Sequence, residues 1–127
     1  MTRFGRIGGL VSAVLVAVIW SVPLPATAHA IIIKSDPVGG STVPGPKVAI
    51  RLQYNSRIDA QRSRLSIGFP DGRERTLSLL PQPGVDSLAA EADHLAPGAY
   101  RLHWQVLSVD GHITRGDIPF RVTEPAQ

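Results

Sequence analysis

The sequence predicts an all-β fold, an antiparallel β-sandwich of about seven short strands behind a removable leader. Three observations predict it. Apolar and polar residues alternate with period two in several segments, clusters of Pro and Gly separate those segments, and no long segment carries helical periodicity.

The leader is residues 1–28. Arg3 and Arg6 give a positive start, Leu10 to Trp20 is apolar, and Ala26-Thr27-Ala28 is a small-x-small cleavage box. The apolar stretch falls short of the roughly 20 residues a membrane helix needs, and Pro23 and Pro25 interrupt it. A secretory signal cut after Ala28 is expected, so that the exported chain starts at His29 and residues 29–127 form one domain in the periplasm, cell envelope or extracellular space. Those 99 residues suit one small core and not two.

The first strand is expected at residues 30–34. Residues 47–54 (KVAIRLQY) alternate, with Val48, Ile50, Leu52 and Tyr54 on one face and Lys47, Ala49, Arg51 and Gln53 on the other. Residues 63–69 and 73–79 flank Pro70-Asp71-Gly72 and read as a hairpin, with Leu65, Ile67 and Phe69 sharing a face. A short strand is expected at 85–90. After the Pro97-Gly98 turn, residues 99–109 place Tyr100, Leu102, Trp104 and Val106 on one face and Arg101, His103 and Gln105 on the other. Residues 117–123 close the set with Ile118, Phe120 and Val122 in phase, while Pro37-Val38-Gly39-Gly40-Ser41 and Pro44-Gly45-Pro46 read as loops. Seven such strands point to a Greek-key or immunoglobulin-like sandwich.

Composition narrows the function. Without the leader, 11 basic residues face 10 acidic ones, and no basic run is interleaved with aromatics, which argues against nucleic-acid binding. The chain has no cysteine, so an exported domain of this size must rely on a complete apolar core or a bound ion.

The segment Ser108-Val109-Asp110-Gly111-His112 carries the chemistry. On an extended backbone Asp110 and His112 project to the same side, a carboxylate beside an imidazole that together suit a metal. The same tripeptide equally reads as a turn in which Asp110 bonds its own backbone and His112 is merely exposed. His29 changes the balance. A freed α-amino nitrogen and the ring Nδ1 of a terminal histidine grip one ion as a chelate, and with His112 and Asp110 they make three nitrogens and one oxygen. Tetragonal Cu(II) favours that set, and the lack of thiolates removes the soft donors that favour zinc or Cu(I).

With these residues in view, the chain resembles the CopC-like copper-resistance proteins, which are small exported β-sandwiches. The matching elements are His29-Ala30, S-D-P-V-G-G-S at residues 35–41, L-x-P-G-x-Y-x-x-x-W-x-V-x-S-x-D-G-H at residues 95–112, and G-x-x-x-F-x-V at residues 116–122. The resemblance implies one Cu(II) ion held by His29 through both nitrogens, Asp110 and His112, and a CopD-like copper-transport membrane protein as partner. It implies a monomeric, non-catalytic protein that sequesters copper or hands it on. Two departures stand out. Some relatives carry a methionine-rich Cu(I) site, whereas the only methionine here is Met1, so no Cu(I) site is expected. Relatives also often place a glutamate near the terminal amine where this chain has Ser56.

His94 and His103 are not expected to be ligands, Trp104 and Tyr100 read as core, and Arg115 is either solvated or a neighbour that tunes the metal's charge. Two other functions fit parts of the pattern. A histidine-brace copper oxidase or oxygenase also uses a terminal histidine plus a second one, but Asp110 fills the position such an enzyme keeps open. In a purely structural sandwich, His29 and His112 never meet. The geometric discriminator is whether the start of the first strand lies beside the loop of Asp110 and His112.

Overall fold

Alternation of the kind seen in VAIRLQY leaves one apolar face per strand, and two sheets facing each other bury both faces at once. The computed structural model describes Gly5 and residues 30–125 and shows that arrangement. Eight strands occur: β1 (Ile32–Asp36), β2 (Thr42–Pro44), β3 (Val48–Tyr54), β4 (Ile58–Gly68), β5 (Glu74–Leu77), β6 (Ser87–Ala92), β7 (Gly98–Ser108) and β8 (Ile113–Thr123). One sheet has the order β1-β3-β6 and the other β2-β8-β7-β4-β5. Among the described residues no helix is long and apolar enough to cross a membrane.

The predicted inner faces are the observed ones. Leu52, Leu65, Ile67, Leu102 and Val106 are wholly buried, and Ile50, Tyr54, Tyr100, Phe120 and Val122 join them in one core between the sheets. Tyr54 meets Trp104 edge to face with ring centroids 5.5 Å apart, and Tyr100 stacks on Phe120 at 5.8 Å. The Tyr100 hydroxyl donates to the carbonyl of Ala96 at 2.6 Å, locking the corner where the chain enters β7, as in other immunoglobulin-like sandwiches.

Three differences from the expected strands have identifiable causes. β2 lies in a stretch read as loop and pairs in parallel with β8, Thr42 opposite Arg121, so the sandwich is not purely antiparallel. Its three residues are too few to show alternation. β1 starts two residues late, because Ile31 turns aside to bond Asn55. β8 begins at Ile113, four residues early, its inward positions Thr114 and Gly116 lacking the apolar signal. At Gly116 the Trp104 indole fills the space, and a β-carbon there would overlap the ring.

Polar links at the rim are expected to add an acid-sensitive part to the stability of the fold. The Asp86 carboxylate accepts from Gln53 Nε2 at 3.1 Å and Ser87 Oγ at 3.0 Å, joining β3 to the start of β6. The Gln53 hydrogen bond, then that of Ser87, holds its pKa below the usual carboxylate value. Asp71 is held down first by the backbone N–H of Arg73, and Asp93 first by the His94 side chain. A carboxyl whose folded pKa is depressed contributes stability above its unfolded pKa, about 3.9 for Asp, and that stability is lost as pH falls through the folded pKa. Thermal melts are therefore expected to show a plateau above about pH 5 and a decline below about pH 4. Asp86→Asn should flatten part of that decline, and an unchanged profile would remove Asp86 as a cause.

Candidate metal centre

A hairpin loop of four residues, Val109 to His112, joins β7 to β8. Ser108 N donates to His112 O at 2.9 Å and Gly111 N to Ser108 O at 2.9 Å, closing the loop. Gly111 has φ +92°, a left-handed conformation that a side chain strongly disfavours. Asp110 and His112 are therefore not on an extended backbone, which corrects the first route by which the sequence placed them together. The turn reading is the observed one, with His112 N donating to Asp110 Oδ1 at 3.3 Å.

The turn nevertheless brings the two side chains to one place. His112 Nδ1 lies 3.2 Å from Asp110 Oδ2, with both side chains reaching solvent. The backbone N–H of His112, and then its ring, keep the Asp110 carboxyl below the ordinary carboxylate range, so this oxygen donor is charged throughout the neutral and mildly acidic range.

Hydrogen bonds through the β3–β4 turn link this loop to the start of the described chain. Ile31 N donates to Asn55 Oδ1 at 2.8 Å, and Asn55 N donates back to Ile31 O at 2.9 Å. Two residues on, Arg57 O accepts from Val109 N at 3.2 Å, and Ile58 pairs with Ser108. Ala30 is buried beside these contacts. Thus the residue that enters β1 and Val109, at the base of the Asp110–His112 loop, are bonded to positions two apart in the same turn. His29 itself lies outside the described residues.

The same end of the sandwich holds four buried hydroxyl oxygens without a hydrogen-bond partner among the described residues: Tyr54 Oη, Ser56 Oγ, Ser108 Oγ and Thr114 Oγ1. Ser56 lies between the two anchoring residues of the turn. Buried polar atoms are nearly always satisfied, by protein groups or by ordered water. Sequence reasoning singled out only Ser56. The others sit at inward positions where a hydroxyl breaks an apolar pattern, a signal that could have been read at Ser108 and Thr114.

The remaining histidines are elsewhere. His103 Nδ1 is 2.5 Å from Asp117 Oδ1 across β7 and β8. His94 is highly exposed, 3.3 Å from Asp93. Arg115 Nε donates to Gln105 Oε1 at 2.8 Å and runs along the sheet face. Among the described residues no group of three or more His, Asp or Glu side chains could hold a metal, and Asp110 and His112 stand as a pair. Their donors, an imidazole nitrogen and an ionised oxygen, suit Cu(II) or zinc and not a soft ion.

Comparison with known proteins agrees with this architecture. The CopC domain family model matches residues 32–123. Protein YobA of Escherichia coli K12 is 31% identical over 100 residues, covering 75% of this chain and 79% of that protein. Copper resistance protein C of Xanthomonas campestris pv. juglandis is 32% identical over 113 residues, covering 76% of this chain and 82% of that one. The structure of CopC from Methylosinus trichosporium OB3b superposes with a TM-score of 0.67 at 25% identity, over 78% of this chain and 97% of that chain. PcoC, a methionine-rich copper resistance protein from Escherichia coli, gives 0.59 at 25% identity, over 76% of this chain and all of the other. The Lin-41 filamin domain, at 14% identity over 74% of this chain and 91% of that one, scores 0.52 and is similar in fold alone. An immunoglobulin-like sandwich carrying the DGH loop, matched by the family model over nearly all of its described length, belongs to the CopC family.

Proposed function

We propose that this protein is an exported, non-catalytic Cu(II)-binding protein that sequesters copper or carries it to a membrane copper-transport partner of CopD type. The observation that carries the reading is the double tether at the β3–β4 turn. Asn55 holds Ile31 and Arg57 holds Val109, so the segment that enters β1 and the base of the Asp110–His112 loop are fastened to the same turn. Cleavage after Ala28 leaves His29 as the first residue, with an α-amino nitrogen and a ring nitrogen to add to His112 and Asp110. Three nitrogens and one oxygen suit a single Cu(II) ion. The chain carries no cysteine and only Met1, which supports a site for Cu(II) without a second one for Cu(I). The names of CopC, PcoC and copper resistance protein C support copper as the cargo.

Mass spectrometry of the exported protein, together with a copper titration of that same form, tests the reading. The expected product begins at His29 and binds one Cu(II). A product that begins elsewhere and binds copper as well overturns the ligand set.

Protonation supplies a second check. Ligating nitrogens must be unprotonated, and a free α-amine titrates near 8. Between pH 8 and pH 5 the apparent Cu(II) affinity should fall by at least about a hundredfold, the loss that competition for a free α-amine alone imposes. Asp110 does not limit binding in this range, since its carboxyl stays ionised. A flat profile measured by competition with a chromophoric chelator would sink the proposal.

A further inference from the structure

Strand alternation gathers arginines that look scattered along the chain. On the outer face of the five-stranded sheet, Arg73, Arg101, Arg121 and His103 line an open cleft together with Gly68 and Glu74. Arg101 lies opposite Pro119 and Arg121 opposite Ala99, which makes the two arginines diagonal neighbours on adjacent strands. Residues so placed are about 7–8 Å apart, close enough for like charges to repel when nothing sits between them.

Asp71 and Asp117 near the cleft are already engaged, while Glu74 keeps its charge at the edge. Asp71 holds Arg73, its Oδ2 at 2.6 Å from Nε, and the Arg73 guanidinium lies over the Phe69 ring at 5.2 Å. Asp117 is engaged by His103 Nδ1. Glu74 accepts from Ser66 Oγ at 2.6 Å. Arg101 and Arg121 have neither an ion pair nor a side-chain hydrogen bond among the described residues. The ring of His103 lies above Gly68, Nε2 being 2.9 Å from where a β-carbon would sit, so the absence of a side chain at Gly68 keeps that nitrogen on the cleft side.

We infer that this cleft is an anion site that takes a phosphate group, with Arg101 and Arg121 as its principal contacts and Arg73 and His103 at its border. Guanidinium forks match the oxygens of a phosphate in bidentate fashion, and Arg serves this purpose better than Lys. The two outward arginines on neighbouring strands supply that geometry, and a phosphate between them relieves their repulsion. The site lies on the sheet's outer face and shares no residue with the copper ligands. A free phosphate ion and the phosphate headgroup of an anionic lipid present the same chemistry.

The test uses copper-free exported protein in two arms. One is titration with inorganic phosphate followed by nuclear magnetic resonance, and the other is co-sedimentation with phosphatidylglycerol-containing vesicles against pure phosphatidylcholine. Response in the first arm alone identifies a soluble anion, response in the second alone a lipid headgroup, and response in both shows that the phosphate group suffices on either carrier. In each case R101Q/R121Q should weaken binding at least about tenfold, corresponding to the loss of charged hydrogen bonds. Arg51→Gln on the opposite sheet and the pair D110A/H112A should leave binding unchanged. No response in either arm, an undiminished R101Q/R121Q, or an equal loss in Arg51→Gln overturns the inference. Should R101Q/R121Q fail to fold by circular dichroism, the wild-type protein decides: binding must weaken between 50 and 500 mM NaCl, roughly the range in which exposed charges become screened, and insensitivity to salt overturns the site.

Discussion

Replacing His112 by alanine is expected to lower Cu(II) affinity by on the order of a hundredfold or more, because the proposed ligand set then lacks one nitrogen, whereas losing only a supporting contact to a ligand costs about 10–100-fold. His94→Ala should leave both affinity and spectrum unchanged, since His94 sits with Asp93 at the exposed turn before β7. Titration of both variants with Cu(II), read by d–d absorption and electron paramagnetic resonance, checks the pair. The wild-type spectrum should be tetragonal with three nitrogens, and that of His112→Ala should show one nitrogen fewer. Because the loop closes through backbone bonds from Ser108 to His112 and Gly111, the variant keeps its hairpin, and the loss is one of ligand and not of fold. Equal effects from the two substitutions would mean that the copper lies elsewhere.

Why the sequence revealed some of this and not the rest follows from which interactions are local. β3 and β7 were legible because their alternation is long and uninterrupted, and each buries one face against the other sheet. β2 was not, because Thr42–Pro44 becomes a strand only through parallel pairing with the far end of the chain, at residues 121–123. The start of β8 was obscured at Gly116, where the missing side chain is compensated by Trp104 twelve residues earlier. The same logic holds at the site. Asp110 and His112 could be named from residue type and spacing, but a tight turn, not an extended strand, joins them. The role of Asn55 was not legible at all. A polar loop residue has no periodic signature, and its two hydrogen bonds to Ile31 exist only once β1 has paired with β3. Nor could the anion cleft be read, since its arginines come together through the pairing of β7 with β8.

Leu102→Ala is expected to destabilise the domain by about 2–5 kcal/mol, the range for deleting most of a buried leucine side chain from a packed core. Leu102 is wholly buried at the middle of β7, between Ile67 on β4 and Ile118 on β8, so neither neighbouring strand can easily move to fill the void. For a domain of this size such a loss amounts to a fall in Tm of more than about 10 °C. Arg101→Ala, one residue away on the opposite face, should stay within about 0.5 kcal/mol. Urea unfolding of the two variants measures the contrast directly. Copper separates stability from binding: at a temperature where Leu102→Ala is still folded, its Cu(II) affinity should equal that of the wild type, and saturating copper should raise the Tm of both by linkage. If Leu102→Ala and Arg101→Ala proved equally mild, β7 would not face the core as its alternation requires. The loop at its end, which takes its direction from that strand, would then not bring Val109 to the turn that also holds Ile31.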